Sequence, residues 1–193
     1  MITIVSGLPR SGTSLMMQML QAGGLPVLSD GERHADADNP RGYLEWERIK
    51  RLPKEPALIA EAEGKCVKVI SQLLEALPAS HEYRIVLMQR PLPEVLRSQD
   101  EMLRRRGEIG SHPDSTPIPD STQIEEAFQR HLLAVNKWLA AQRNMRVLRV
   151  HYHRALREPK TVAEELAAFL EIPLAIEAMM RQVDESLYRN RMK

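Results

Sequence analysis

The chain has 193 residues, 43% of them hydrophobic and 27% charged, and its 27 basic and 26 acidic side chains leave a formal charge of +1. That length suits one folding unit with a substantial buried core, and the near-neutral balance argues against a nucleic-acid partner, which demands a strongly basic surface. A single cysteine, Cys66, excludes an intrachain disulfide and fits a reducing compartment. The N-terminal apolar stretch covers only Ile2 to Val5, too short for a signal-peptide core, and no run approaches the ~20 apolar residues of a membrane helix. The expectation is a cytoplasmic protein with one domain over residues 1–193 and no membrane insertion.

Residues 2–6 (ITIVS) read as a strand buried on both faces. They run straight into GLPRSGTS at 7–14. Leu15, Met16, Met19 and Leu20 then recur at helical spacing until Gly23-Gly24 stops the helix. A short second strand is expected at 26–28. Residues 29–42 (SDGERHADADNPRG) mix acids, His, Pro and Gly without periodicity and read as a loop, and helical pattern resumes around 44–52. KCVKVI (65–70) and RIVLMQR (84–90) read as buried strands, and a helix follows from Pro93 to near Gly107. The segment 107–121 (GEIGSHPDSTPIPDS) holds three prolines and reads as an exposed loop, either a lid over a site or a surface insertion. Thr122-x-x-Glu125 has the form of a capping box opening a long helix with the stripe Ile124, Phe128, His131, Val135, Trp138 and Leu139. MRVLRVHY (145–152) is a final strand candidate. Val162, Leu166, Phe169 and Leu170 outline a last helix, with Pro159 near its start. Strands alternating with helices give an α/β fold, a mostly parallel sheet flanked by helices.

The strand–Gly-rich turn–helix at 2–22 directs backbone N–H groups and a helix N-terminus at one point, which makes an anion site sized for a phosphate. Gly7 and Gly12 permit close approach, while Thr13 and Ser14 add hydroxyls. The plainer alternative is an ordinary strand-to-helix turn. In a P-loop NTPase a lysine follows the second Gly and the next Ser/Thr holds Mg²⁺. Here Thr13 stands where that lysine belongs, and Arg10 is the only cation of the loop. A nucleotide kinase or NTPase therefore loses weight.

LPRSGTSL at 8–15 resembles the 5′-phosphosulfate-binding loop of sulfotransferases that use 3′-phosphoadenosine 5′-phosphosulfate (PAPS). The resemblance implies a P-loop-like sulfotransferase fold, with Pro9, Arg10, Ser11, Gly12, Thr13 and Ser14 binding the 5′-phosphosulfate and Arg10 facing the sulfuryl group. RPLPEVLRS (90–98) is similar to that family's 3′-phosphate element and implies Arg90 and Ser98 as ligands, although Leu92 sits where its proline is usual. NPRGYLE (39–45), YHRALREP, AAFLEIP and VDESLYRNR extend the likeness over the whole chain. The cytosolic vertebrate class carries a further C-terminal 3′-phosphate motif that has no match here. Arg189 and Arg191 in LYRNRMK are candidates to replace it, the alternative being a solvated basic tail.

The activity so implied moves a sulfuryl group from PAPS, as co-substrate, to a hydroxyl or amine of a small-molecule, sugar or lipid acceptor, with no metal. The resemblance to tyrosylprotein sulfotransferases, where Gly likewise precedes the base, offers Glu32. Asp36 and Glu45 are the other candidates for the base, and a solvated acidic loop is the plain alternative. Four Tyr, two Phe and two Trp disfavour a pocket for flat phenols. Lys68, ending an apolar strand, is a candidate to face the nucleotide. His151-x-His153 lacks a third metal ligand and reads as unpartnered core or edge histidines, and His131 as a packed one. Arg104-Arg105-Arg106 reads as the basic end of a helix. Two other readings stay open: an atypical P-loop kinase or NTPase, and a non-catalytic nucleotide-binding protein of the same fold. Nothing in the sequence marks an oligomeric state.

Overall fold

The apolar run Ile2–Ser6 forms β1, an inner strand of a parallel sheet, in a computed structural model that describes residues 1–36, 39, 42–105 and 121–184. The other strands are β2 (Cys66–Lys68), β3 (Tyr83–Gln89) and β4 (Met145–His151), in the order β2-β1-β3-β4. All pairings are parallel, with Val5 between Lys68 and Val86, and Gln89 opposite His151. Every residue of β1 and β2 is buried, as expected where both faces of a parallel sheet are covered.

The chain steps from β1 to β2 on one side and then to β3 on the other. The strand order therefore reverses at β1, and a crevice opens beyond the C-terminal ends of β1 and β3. The elements that follow those two ends are the Gly-rich loop and Arg90.

Alternation along the strands feeds two cores. Val67, Val69, Ile4, Ile85 and Leu87 face Trp46, Ile49, Ile59, Val135 and Leu139. Cys66, Val5, Val86, Met88 and Val150 face helix α1 (Thr13–Ala22) and the C-terminal helices. The remaining helices are α2 (Leu92–Arg105), α3 (Ser121–Ala141), α4 (Tyr152–Arg157), α5 (Pro159–Leu170) and α6 (Ile176–Met180). At the lower edge of the sheet Glu171 accepts hydrogen bonds from Arg84 and Arg146, which hold its carboxyl down at about 2.

Several elements differ from the sequence reading. Residues 26–28 form only an isolated bridge, Val27 to Cys66, because β2 itself is three residues long and offers no longer edge. The segment 44–52 forms a 3₁₀ helix over Glu47–Arg51, confined between Leu44 at φ 50° and Pro53. Two more 3₁₀ helices, Pro56–Ala62 and Ser71–Ala76, carry too few residues to show a period. Thr122 lies inside α3, after Ser121, rather than flanking it. Strand β4 stops at His151 and Tyr152 opens α4, so His151 and His153 do not share a strand face, and His153 is partnered by Glu94. Residues 107–120, Asp38 and Arg106 lie outside the described residues.

Candidate functional site

The loop after β1 turns on two glycines that no other residue could replace without strain. Gly7 has φ 152°, and a Cβ there would meet Ser11 Oγ at 2.5 Å and Met88 O at 2.8 Å. Gly12 has φ 100°, and its Cβ would lie 2.4 Å from the Tyr152 ring. Arg10 also takes a positive φ, 69°, which carries its side chain out of the turn. The first N–H of α1 bonded to the preceding loop is that of Met16, on Gly12 O at 3.1 Å. Those of Gly12 to Leu15 meet no backbone acceptor among the described residues, and they converge where the helix dipole is positive. Ser11 is turned beneath the loop, and its buried hydroxyl has no hydrogen-bond partner among the described residues.

Arg10 Nε donates to Ser98 Oγ at 2.9 Å, which joins the loop to α2. Arg90 reaches back to the same loop, donating from Nη1 to Arg10 O at 3.1 Å. Its guanidinium lies 4.7 Å from the centroid of the Tyr152 ring. Glu94, one helical turn beyond Arg90 and 2% exposed, accepts from Arg90 Nε and pairs with His153 Nε2, both at 2.9 Å and both on Oε2. Arg90 is thereby fixed with one edge on a carboxylate and its face on an aromatic ring.

A third cation enters from β2. Lys68, 4% exposed, donates from Nζ to Ser14 Oγ at 3.0 Å and to Tyr43 O, with Glu45 Oε1 at 3.4 Å. Burial pulls its pKa down to about 8, against the opposing pull of Glu45. Glu45 also accepts both hydrogen bonds of Arg33 Nη1, at 3.1 and 2.9 Å. Arg33 stacks 3.6 Å over the Tyr43 ring, whose hydroxyl donates to both oxygens of Asp36 at 2.8 Å. Burial, and then that hydrogen bond, raise the Tyr43 phenol above its ordinary value.

These groups surround one cleft of about 640 Å³. Pro9, Arg10, Gly12, Thr13, Ser14, Lys68, Glu45, Arg90 and Ser98 all line it. Glu32 and Asp36 do not. Glu32 is exposed, with its N–H on Asp30 Oδ1, and the Asp36 carboxylate is held by Tyr43. Arg189 and Arg191 lie outside the described residues. His131 packs with its Nε2 2.9 Å from Ser71 Oγ. Among the described residues no group of three metal-ligating side chains occurs, and no helix is long and apolar enough to cross a membrane.

Sequence reasoning passed over Glu94, Tyr152, Arg33 and Tyr43. Glu94 carried a usable signal, its place four residues after Arg90 in the first turn of the helix that follows that strand end. Tyr43 and Tyr152 fall within NPRGYLE and YHRALREP, which carry the family likeness without marking either residue for the site, and Arg33 lies in the aperiodic 29–42 segment, where no pattern fixes side-chain direction.

A family model described as a sulfotransferase domain matches residues 2–193. No curated protein sequence is significantly similar. Among solved structures, sulfotransferase STF9 from Mycobacterium avium superimposes with a TM-score of 0.61 at 14% identity, covering 100% of this chain and 69% of that one. Mouse sulfotransferase SULT7A1 complexed with PAP gives 0.56 at 15% identity, over 99% of this chain and 66% of that one. The sulfotransferase domain from the curacin biosynthetic pathway gives 0.53 at 16% identity, over 95% and 77%.

Proposed function

The chain belongs to the sulfotransferase domain family, and from that premise we propose that it transfers a sulfuryl group from PAPS to a hydroxyl or amine of a small acceptor. The observation that carries this reading is the hydrogen bond from Arg10 to Ser98. It joins the loop suited to a 5′-phosphosulfate to the helix suited to a 3′-phosphate, so one nucleotide with anions at both ends fits where two separate motifs meet. The PAP (3′-phosphoadenosine 5′-phosphate) in the mouse enzyme supports the choice of nucleotide.

The residues present suit such a ligand. The N–H groups of Gly12 to Leu15 and the hydroxyls of Thr13 and Ser14 receive the 5′-phosphate, with Ser11 supporting the loop from beneath. Arg90, held by Glu94, and Ser98 receive the 3′-phosphate, joined by Arg189 and Arg191. Tyr152 and Leu156 give apolar surface for the nucleoside between.

Arg10 and Lys68 then face the bond that breaks. The acceptor oxygen attacks sulfur, an O–S bond forms, and the bond to the 5′-phosphate oxygen breaks in line. Arg10 and Lys68 stabilise the negative charge that gathers on the leaving oxygen and the sulfuryl group. Among the described residues Glu45 is the acid of the 30–45 segment that lines the cleft, so it takes the acceptor proton ahead of Asp36 and Glu32. The buried single cysteine supports a cytoplasmic setting, and one domain over 1–193 suffices for this site.

Thermal unfolding with PAP, compared with ATP plus Mg²⁺, tests the reading. A ligand at ~100 times its Kd adds about 2.7 kcal/mol, or roughly 5–10 °C. A PAP shift that disappears in Arg90→Ala upholds it. A shift with ATP and Mg²⁺ alone would transfer the chain to the kinase and NTPase reading.

A further inference from the structure

Strands β3 and β4 pair with Gln89 opposite His151, so the residues that follow them leave the sheet side by side. Arg90 comes off one strand and Tyr152-His153 off the other, and each chain then turns into a helix, α2 and α4. Two consecutive rings at the start of α4 thus take hold of one ion pair. The Tyr152 ring centroid lies 4.7 Å from the Arg90 guanidinium. His153 Nε2 lies 2.9 Å from Glu94 Oε2, the same oxygen that accepts from Arg90 Nε at 2.9 Å. An ionised carboxylate only accepts hydrogen bonds, so His153 is the donor at Nε2. Glu94 is 2% exposed. The last torsion of a glutamate is soft, and a single donor would leave this buried carboxylate free to turn. Two donors on one oxygen, from two different elements, remove that freedom.

We propose that His153 is a positioning residue for the 3′-phosphate of the nucleotide. By holding Glu94 Oε2 it fixes the plane of Arg90, and so sets how strongly the protein prefers a nucleotide that carries a 3′-phosphate. This rests on the sulfotransferase reading and adds a residue to its nucleotide site. Arg90 has two further restraints, Nη1 on Arg10 O at 3.1 Å and its face on Tyr152. The Nε edge depends on Glu94, and Glu94 depends on His153. A guanidinium fork already in place when the phosphate arrives loses little freedom on binding, which is where preorganisation adds affinity. His153 stands outside the lining of the cleft and is 32% exposed. It therefore acts on the ligand through Glu94 and Arg90. The 5′ end of the nucleotide rests on the N–H groups of Gly12 to Leu15, which belong to the loop and α1.

The test is calorimetric titration of PAP and of adenosine 5′-monophosphate (AMP), which lacks the 3′-phosphate. Both are titrated into the full chain and into His153→Asn and His153→Gln. The two amides differ by one methylene, and only the glutamine amide extends as far from the backbone as Nε2. In His153→Asn the Kd for PAP should rise about tenfold, as for loss of one hydrogen bond to a charged group, with that for AMP unchanged. His153→Gln should keep the parent preference for PAP over AMP. Turnover with PAPS should divide in the same way, KM rising in His153→Asn while kcat at saturation is retained. A merely structural role would weaken both nucleotides together. Equal weakening of PAP and AMP, an unchanged PAP Kd in His153→Asn, or a loss as large in His153→Gln would overturn the proposal. A parent protein that binds PAP and AMP alike is a different result. It would overturn the placing of a 3′-phosphate at Arg90, and the proposal with it.

Discussion

Lys68 and Ser14, 54 residues apart in sequence, meet with Nζ 3.0 Å from Oγ. The loop after β1 lacks the lysine of a P-loop NTPase and has Thr13 there instead. The neighbouring strand supplies a cation to the same helix N-terminus. Because that lysine is buried on β2 rather than carried on the loop, its charge responds to its surroundings, and the first prediction follows from it.

Burial lowers the Lys68 pKa from 10.5 to about 8. The lysine is therefore charged below about pH 8 and neutral above. Binding of PAP should weaken by up to about tenfold per pH unit once pH passes 8, since each proton taken up on binding is then a proton to be recruited. For stability the sign is opposite. Between about 8 and 10.5 the unfolded chain binds more protons than the folded one, so this group's contribution to stability rises with pH. Calorimetric Kd values at pH 7 and 9 decide the binding claim. Equal decline in Lys68→Met would assign it to another group.

Arg10 engages Ser98 only through Nε among the described residues, so its Nη groups remain available to a ligand. Arg10→Ala should cost about 3–4 kcal/mol in the barrier, as loss of a preorganised donor does. Ser98→Ala removes one acceptor of Arg10 and should cost about 1 kcal/mol in PAP binding. Single-turnover sulfate transfer measures the first and titration the second. Unchanged turnover in Arg10→Ala would remove the arginine from the mechanism.

Glu94 and Arg90 are 2% and 7% exposed, and Glu94 also pairs with His153. Removing one partner of a buried pair costs about 3–5 kcal/mol, so Glu94→Ala should lose that much stability and bind PAP more weakly. Denaturant unfolding and PAP titration together test it. Parent-like stability would mean that the surroundings of Arg90 repair the loss.

Gly12→Ala should destabilise the fold by about 1–3 kcal/mol from its backbone conformation alone, and further through the contact with Tyr152. The double variant Gly12→Ala/Tyr152→Ala should recover the steric part and leave the backbone part. Additive losses in that cycle would show that ring and loop are uncoupled.

Glu45→Gln keeps the shape of the side chain and removes its basicity. A drop in kcat of about 10²–10⁴, measured at saturating PAPS, is the expected result. The same drop in Glu32→Gln, with Glu45→Gln active, would move the base onto the exposed part of the loop.

The strand–loop–helix from Ile2 to Ala22 was legible because everything that shapes it is local. An apolar run, two glycines at positive φ and a helical stripe are contiguous in the chain. Arg90 and Ser98 were legible for the same reason, one at the end of a strand and the other on the helix that follows. The acidic segment was not. Residues 29–45 have no period, and side-chain direction there is set by distant anchors. Asp30 accepts from Glu47 N–H, and Ser29 donates to Glu45 O at 3.1 Å.

By itself, then, the sequence determined the Gly-rich loop between β1 and α1, the strand end and helix that carry Arg90 and Ser98, and the alternation that makes a parallel sheet, since each depends on neighbours along the chain. Tertiary structure decided which groups share the cleft. It brought Lys68 to Ser14, Ser98 to Arg10, and Glu45 rather than Glu32 to the lining. The physical reason is the strand order β2-β1-β3-β4. Parallel pairing gathers the C-terminal ends of strands from distant parts of the chain onto one edge, and no local pattern of residues encodes which side chains will meet there.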